Sequence, residues 1–191
     1  ALMKARADQE RAERLWEQSS RFDVAVNNIF HGLVMFDASG RIVVCNDRYL
    51  QIYGLSPEVV KPGLTLLELI KYRAETGSFK GDLHQYCSKI LEQISKGQMT
   101  SQVVETTDGR TIHIVNQPMV DGGWVATHED VTDKVHAEKR IWYLAHNDSL
   151  TDLPNRAAFV EHFHVMIDEA SKTGEQFAIL CIDLDHFKEV N

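Results

Sequence analysis

The last residues of the chain carry the side chains best suited to chemistry. An unbroken apolar run over 177–182 predicts a buried strand. Asp183, Asp185 and Lys188 follow it directly. Because the two aspartates are two residues apart, a continuing strand would place both carboxylates on one side, where they would repel unless a cation lay between them. Mg²⁺ fits this role, since it takes oxygen ligands and shares its coordination with substrate phosphates. The alternative is that both aspartates cap the following turn.

A second motif lies one helix earlier in the chain. Asp152-Leu-Pro-Asn-Arg156 and Asp183-Leu-Asp-His-Phe-Lys-Glu-Val-Asn191 together resemble the start of a GGDEF domain, the catalytic domain of diguanylate cyclases. The resemblance covers about 148–191. It implies five site roles: Mg²⁺ binding by Asp183 and by the Leu184 carbonyl, GTP triphosphate contacts by Phe187 and Lys188, and a guanine contact by Asn191.

The same resemblance gives Asp148 and Arg156 a structural role, as the pair that shapes the turn where a preceding helix enters the domain. Three family features are absent: the Gly-Gly-Asp-Glu-Phe loop, the second metal carboxylate and the Arg-x-x-Asp product-inhibition motif. We therefore expect that this sequence alone does not turn over GTP. We also expect a truncated part of a longer protein, which the start at Ala1 without methionine favours.

Composition narrows the possible functions. With 191 residues, 43% of them hydrophobic, the chain is long enough for one complete domain and additional elements. Its formal net charge of -8 disfavours nucleic acid as a partner, because nucleic-acid-binding proteins present a basic surface. The three cysteines are widely spaced, which indicates reduced thiols in a cytoplasmic protein. The sequence has no run of about 18 apolar residues that would predict a membrane span. A membrane anchor upstream of Ala1 stays an open alternative.

Four segments can position these side chains. They are an N-terminal signalling helix over 1–28, an α+β domain over 29–132, a connecting helix over 133–147 and the incomplete catalytic domain over 148–191. In the first segment, positions three and four residues apart from Ala5 to Ile29 predict a coiled-coil dimer contact. The alternative is that Leu15, Trp16 and Phe22 pack on the next domain.

The α+β segment predicts a five-stranded antiparallel sheet with helices across one face. Strands are predicted over 33–36, 42–45, 101–106, 111–120 and 124–129. Helices are predicted after the N-cap Asn46, after Ser56, over 64–72 and over 84–96.

This order of elements resembles a PAS domain, a sensor module whose sheet and helices can enclose a small ligand, haem or flavin. Asp37-x-x-Gly40, Asn46 and the closing Asp130-Val-Thr132 stand where that family has its motifs. The match covers about 22–133. The resemblance implies that Asp130 and Thr132 transfer a signal into the helix that follows.

Haem and flavin are not expected in this sensor. His84 is the best placed axial ligand among the nine histidines, but its polar neighbours predict a solvent-facing side chain. A photoactive flavin would require an Asn-Cys-Arg sequence, which neither Cys45 nor Cys87 supplies. The sequence leaves the ligand open.

The connecting helix carries apolar residues at three- and four-residue spacing: Ala137, Ile141 and Leu144. Such a helix can pass a rotation or register change to a dimer, because packed interfaces have discrete arrangements. The alternative is a rigid spacer. The next helix carries a stripe that predicts an ordinary core face: Phe159, Phe163, Met166, Ile167 and Ala170.

These features together predict a cytoplasmic homodimer in which a PAS sensor controls a diguanylate cyclase. The resemblance implies that the intact domain, with Mg²⁺, converts two GTP into cyclic di-GMP. Two alternatives stay open. The longer protein could also carry a phosphodiesterase domain, or the cyclase could be degenerate and the chain a non-catalytic module for ligand binding and dimerisation.

Overall fold

The structure is a computed structural model that describes Arg14, Gln18 and residues 20–182. The chain divides into two compact units, one up to Val135 and one from His136 onward. A helix, α1, covers residues 20–27. The elements that follow are β1 (Gly32–Phe36), β2 (Ile42–Cys45), α2 (Asp47–Tyr53), α3 (Leu66–Glu75), α4 (Leu83–Ser95), β3 (Thr100–Glu105), β4 (Thr111–Pro118), β5 (Trp124–Asp130), α5 (Thr132–His146) and α6 (Arg156–Thr173).

The five strands form one antiparallel sheet in the order β2-β1-β5-β4-β3, which confirms the predicted α+β fold. Successive side chains of a strand point to opposite faces, and on β4 the inward positions Ile112 and Ile114 are buried. On the neighbouring strand β5, Trp124 pairs with Pro118 and Ala126 with Asn116, and both Trp124 and Ala126 are buried as well. The helices α2, α3 and α4 complete the core with a set of buried side chains: Tyr49, Ile52, Leu69, Ile70 and Ile90.

Local signals explain where the first helices begin and end. The Asn46 side chain accepts a hydrogen bond from the Tyr49 backbone N–H and so caps α2, as predicted. Gly54 ends this helix in the left-handed conformation, which favours glycine. Thr65 and Glu68 form a reciprocal capping box at the start of α3.

Two predicted elements differ from the structure. The segment after Ser56 forms turns, because the N–H groups of Val59 and Val60 bond back to the Ser56 carbonyl and Pro62 then disfavours helical backbone. The helix predicted in the second unit is present as α6, but residues 177–182 form no strand. A strand requires a neighbour to satisfy its backbone groups, and the described residues of this unit contain none.

The predicted coiled-coil seam lies mostly outside the described residues, including Ala5 and Leu15. Of its described positions, Val26 is buried and Phe22 is half exposed. The coiled coil therefore stays a prediction. No described helix has both the length and the apolar character needed to span a bilayer.

Candidate functional site

The core of the first unit contains several buried polar side chains. Arg73 on α3 is 4% exposed and His128 on β5 is 3% exposed. Asn116 on β4 is buried as well, and its side-chain amide donates to the Thr100 hydroxyl at 3.0 Å. Because a buried charge is costly unless it is paired and hydrogen-bonded, Arg73 is the residue whose surroundings require an explanation.

Arg73 is only partly satisfied. Its guanidinium carbon lies 3.5 Å from the centroid of the Tyr53 ring, a favourable cation–π contact. One Nη atom donates to the Ser78 carbonyl at 3.2 Å. The Nε atom is buried and has no hydrogen-bond partner, and no acidic residue of the described chain forms an ion pair with Arg73. An arginine buried in this state presents an unused donor, its Nε–H, for an anion.

His128 also contacts Tyr53. Its Nδ1 atom is 2.7 Å from the Tyr53 hydroxyl, and the His128 ring meets the Tyr49 and Tyr53 rings edge to face. Burial, and secondly the charge of Arg73, lower the pKa of His128 well below its usual range. The imidazole is therefore neutral at neutral pH, and Arg73 is the one buried cation of this cluster.

Two spaces meet at Arg73. Inside the core, a cavity of about 20 Å³ is bordered by Tyr49, Asn116 and His128 among other side chains, which is room for one water molecule. Outside it, an open groove of about 660 Å³ lies between the loop that precedes α4, α4 itself and β3. Arg73 and Tyr86 line both spaces. The guanidinium therefore stands between the core and a groove large enough for a small ligand.

The end of the sheet is joined to α5 by a hydrogen-bonded turn. Asp130 Oδ1 accepts from the Thr132 backbone N–H at 3.1 Å and from the Thr132 hydroxyl. The Thr132 hydroxyl oxygen accepts from the Thr111 N–H at 2.9 Å. Arg110 approaches Asp130 at 3.8 Å and donates to the Ile52 carbonyl on α2. The two predicted signal-transfer residues thus connect β4, β5 and the start of α5.

The other candidate residues of the first unit have simple surroundings. His84 is exposed on α4. Burial, and secondly the nearby Asp47 carboxylate, raise the pKa of the Cys45 thiol to about 12, so this thiol is not a nucleophile at neutral pH. Burial also raises the pKa of Cys87.

The turn before α6 is built around Asp148 and Asn155. Asp148 Oδ1 accepts from the Thr151 N–H at 2.9 Å and from the Thr151 hydroxyl at 2.8 Å, and these bonds lower the pKa of Asp148. Asn155 caps α6 and donates to the Ala145 carbonyl at 2.8 Å. Arg156 is the first residue of α6, and within the described chain it forms no ion pair with Asp148. Their predicted pairing stays a prediction.

The residues predicted to bind Mg²⁺ and GTP are at the end of the chain. Asp183, Leu184, Phe187, Lys188 and Asn191 all lie outside the described residues. Among the residues that are described, no group of three or more His, Cys, Asp or Glu side chains is placed to hold a metal ion.

Comparison with known proteins assigns the first unit. The family model described as the PAS fold matches residues 26–139, more than half of the chain. The chain belongs to the PAS family. The model described as the diguanylate cyclase GGDEF domain matches residues 145–191, directly after the PAS match. The PAS domain of BvgS from Bordetella pertussis covers 68% of the chain and is itself covered to 97%, at 18% identity and a TM-score of 0.48.

Two curated relatives cover different parts of the chain. A probable diguanylate cyclase, DgcE of Escherichia coli, is 25% identical over 94% of the chain and 16% of its own length. The diguanylate cyclase TpbB of Pseudomonas aeruginosa is 53% identical over 47 residues, which are 25% of the chain and 11% of that protein. The chain thus spans about a tenth to a quarter of the length of the curated relatives it matches.

Sequence reasoning missed the polar cluster of the PAS core, although two signals were present. Arg73 continues the apolar stripe of Leu66, Leu69 and Ile70 on α3, where a charged residue is unexpected. His128 continues the inward alternation of Trp124 and Ala126 on β5. Asn155 was also missed, and its signal was an asparagine directly before a helix.

Proposed function

We propose that this chain is the sensory and regulatory region of a diguanylate cyclase, a protein that makes cyclic di-GMP from two GTP. The observation that carries the proposal is the order of the two matches, a PAS domain followed within a few residues by a GGDEF match. The identity to a named diguanylate cyclase over the second match supports it. We assign 29–132 to the sensor, 133–147 to the connecting helix and 148–191 to the catalytic domain.

In this proposal α5 carries the signal. It begins in the turn formed by Asp130 and Thr132, so a change in the PAS core that moves β5 would also move the start of the helix. α5 runs without interruption to His146, next to the segment that matches the GGDEF domain. The proposed output is the relative placement of two catalytic domains in a homodimer, since each would hold one of the two GTP molecules that react.

The catalytic roles follow from the family resemblance. Asp183 and the Leu184 carbonyl would hold Mg²⁺, which neutralises phosphate charge as phosphoryl transfer proceeds. Lys188 and Phe187 would lie along the triphosphate and Asn191 against guanine. Because GTP is a cytoplasmic nucleotide, we place this region in the cytoplasm.

The test uses the full-length protein that carries this sequence, incubated with GTP and Mg²⁺, with the nucleotides separated by chromatography. Wild type should form cyclic di-GMP, and Asp183→Ala should reduce the rate at least about 100-fold, because a metal ligand is lost. Asp168→Ala, an exposed carboxylate on α6, is the matched control and should retain activity.

Three further outcomes test the proposal and its two alternatives. An excess of the Asp183→Ala protein mixed with wild type should lower the activity per wild-type chain, because mixed dimers would contain one defective half. Unchanged GTP in every sample would contradict the cyclase proposal and favour a non-catalytic module. Hydrolysis of added cyclic di-GMP would indicate the tandem cyclase and phosphodiesterase.

A further inference from the structure

Arg73 is a buried cation that lacks a counter-charge within the described chain. It is 4% exposed, its Nε has no partner, and the adjoining groove that it lines also carries two lysines, Lys80 and Lys89. A lone buried guanidinium destabilises a fold unless something pairs with it. We propose that the groove binds a small organic carboxylate whose carboxylate group pairs with Arg73.

The shape of the guanidinium favours a carboxylate. A planar guanidinium donates hydrogen bonds to two carboxylate oxygens side by side, and the Nε atom of Arg73 is the donor left without a partner here. A single negative charge balances the cluster, since His128 is neutral and Arg73 is its one buried cation. A phosphate dianion would bring an excess negative charge to the buried cluster, because Lys80 and Lys89 line the open groove and not the inner cavity.

The side chains that line the groove indicate the chemistry of the rest of the ligand. Phe79 and Tyr86 form an edge-to-face pair with ring centroids 5.0 Å apart, and Val104 and Ile114 add aliphatic surface. Two acidic residues also line the groove, but Asp82 caps α4 by accepting from the Gln85 N–H, and Glu105 is exposed. An aromatic or short aliphatic body with one carboxylate therefore fits this groove.

Tyr86 connects the proposed ligand site to the core. It lines both the groove and the small inner cavity, as Arg73 does. The Arg73 guanidinium also lies over the Tyr53 ring. The Tyr53 hydroxyl is within hydrogen-bond distance of His128, which precedes Asp130 by two residues on β5. A carboxylate on Arg73 would therefore contact the same cluster that adjoins the end of β5. The binding itself does not depend on the proposed cyclase function and is tested without it.

The experiment is calorimetric titration of the whole chain with sodium benzoate, butyrate and octanoate. Benzamide is the matched neutral probe and inorganic phosphate the matched non-carboxylate anion. At least one carboxylate should bind wild type, with benzamide and phosphate at least about tenfold weaker. Arg73→Met should weaken that carboxylate at least about tenfold, and Lys71→Met, an exposed lysine on the same helix, should leave it unchanged.

The outcomes are distinguishable even if a variant folds poorly. Arg73→Lys keeps the charge and loses the planar fork, so it should fold and bind more weakly than wild type. The comparison of a carboxylate with its amide requires only wild-type protein. The proposal is overturned if none of the three carboxylates binds up to about 10 mM, if benzamide binds as well as benzoate, if phosphate alone binds, or if a folded Arg73→Met binds like wild type.

Discussion

The first compact unit, up to Val135, and the second, from His136, carry similar apolar patterns and use them differently. In the first, the apolar faces of α3 and α4 are buried against the sheet through residues such as Leu69 and Ile90. In the second, no described residue of α6 is buried, and Phe159 is 51% exposed. The apolar periodicity of a helix therefore predicts which of its faces can be buried. Whether that face is buried depends on packing against elements that are distant in the sequence.

The difference extends to polar groups. Inside the core of the PAS domain, His128 is neutral and Arg73 has an unused donor, because both side chains are almost completely buried. His162 and His164 on α6 are exposed to solvent and lie outside such a core. The chemistry of a side chain in this chain thus follows from the unit that surrounds it more than from its residue type.

The largest expected effect follows from removing one large aromatic side chain from each unit in turn. Trp124 is 2% exposed and stacks on Phe36 with ring centroids 4.4 Å apart, so Trp124→Ala should lower the free energy of unfolding of the first unit by about 3–5 kcal/mol. Phe159→Ala should change the second unit by less than about 1 kcal/mol. Urea unfolding followed by circular dichroism, with hydrogen exchange to assign the unit, measures both. Equal losses would show that the core of the second unit is closed.

A smaller effect is expected from the two asparagine caps. Asn46 is fully buried and bonds to the Leu33 and Tyr49 N–H groups and to the Val26 and His31 carbonyls. Asn46→Ala would leave these groups unpaired and should cost the first unit about 2–4 kcal/mol.

Asn155 is the matched control in the second unit. It caps α6 in a more open setting, so Asn155→Ala should cost only about 1 kcal/mol. The same urea experiment compares the two variants. A cost for Asn155→Ala as large as that for Asn46→Ala would contradict the contrast between a buried and an exposed cap.

Much of the PAS fold was predictable because its signals are local. Turn residues such as Gly54 and caps such as Asn46 mark where elements end and begin, and alternation marks the inward faces of β4 and β5. The pairing of Arg73 with the Tyr53 ring was not predictable, since it depends on how α2 and α3 pack together in space. The strand expected over 177–182 failed for a related reason, because an apolar run cannot specify its own partner.

An effect smaller than those of Trp124→Ala and Asn46→Ala concerns pH and depends on His128. Its pKa is about 6.5 in the unfolded chain and well below that in the fold, because burial disfavours the charged imidazole and, secondly, because Arg73 repels it. The unfolded chain therefore takes up a proton before the folded chain does, and stability is lost as the pH falls below about 6.5. One such group lowers the free energy of unfolding by about 1.5–2 kcal/mol between pH 6.5 and pH 5.

A glutamine at this position separates His128 from the other titrating groups. His128→Gln can still accept a hydrogen bond from the Tyr53 hydroxyl but has no proton to take up, so its loss of stability between pH 6.5 and pH 5 should be smaller than that of wild type by about this amount. Parallel profiles for wild type and His128→Gln would mean that the imidazole takes up a proton inside the fold. The closed core would then be able to hold two cations, and the contrast with the solvent-exposed second unit would no longer rest on charge.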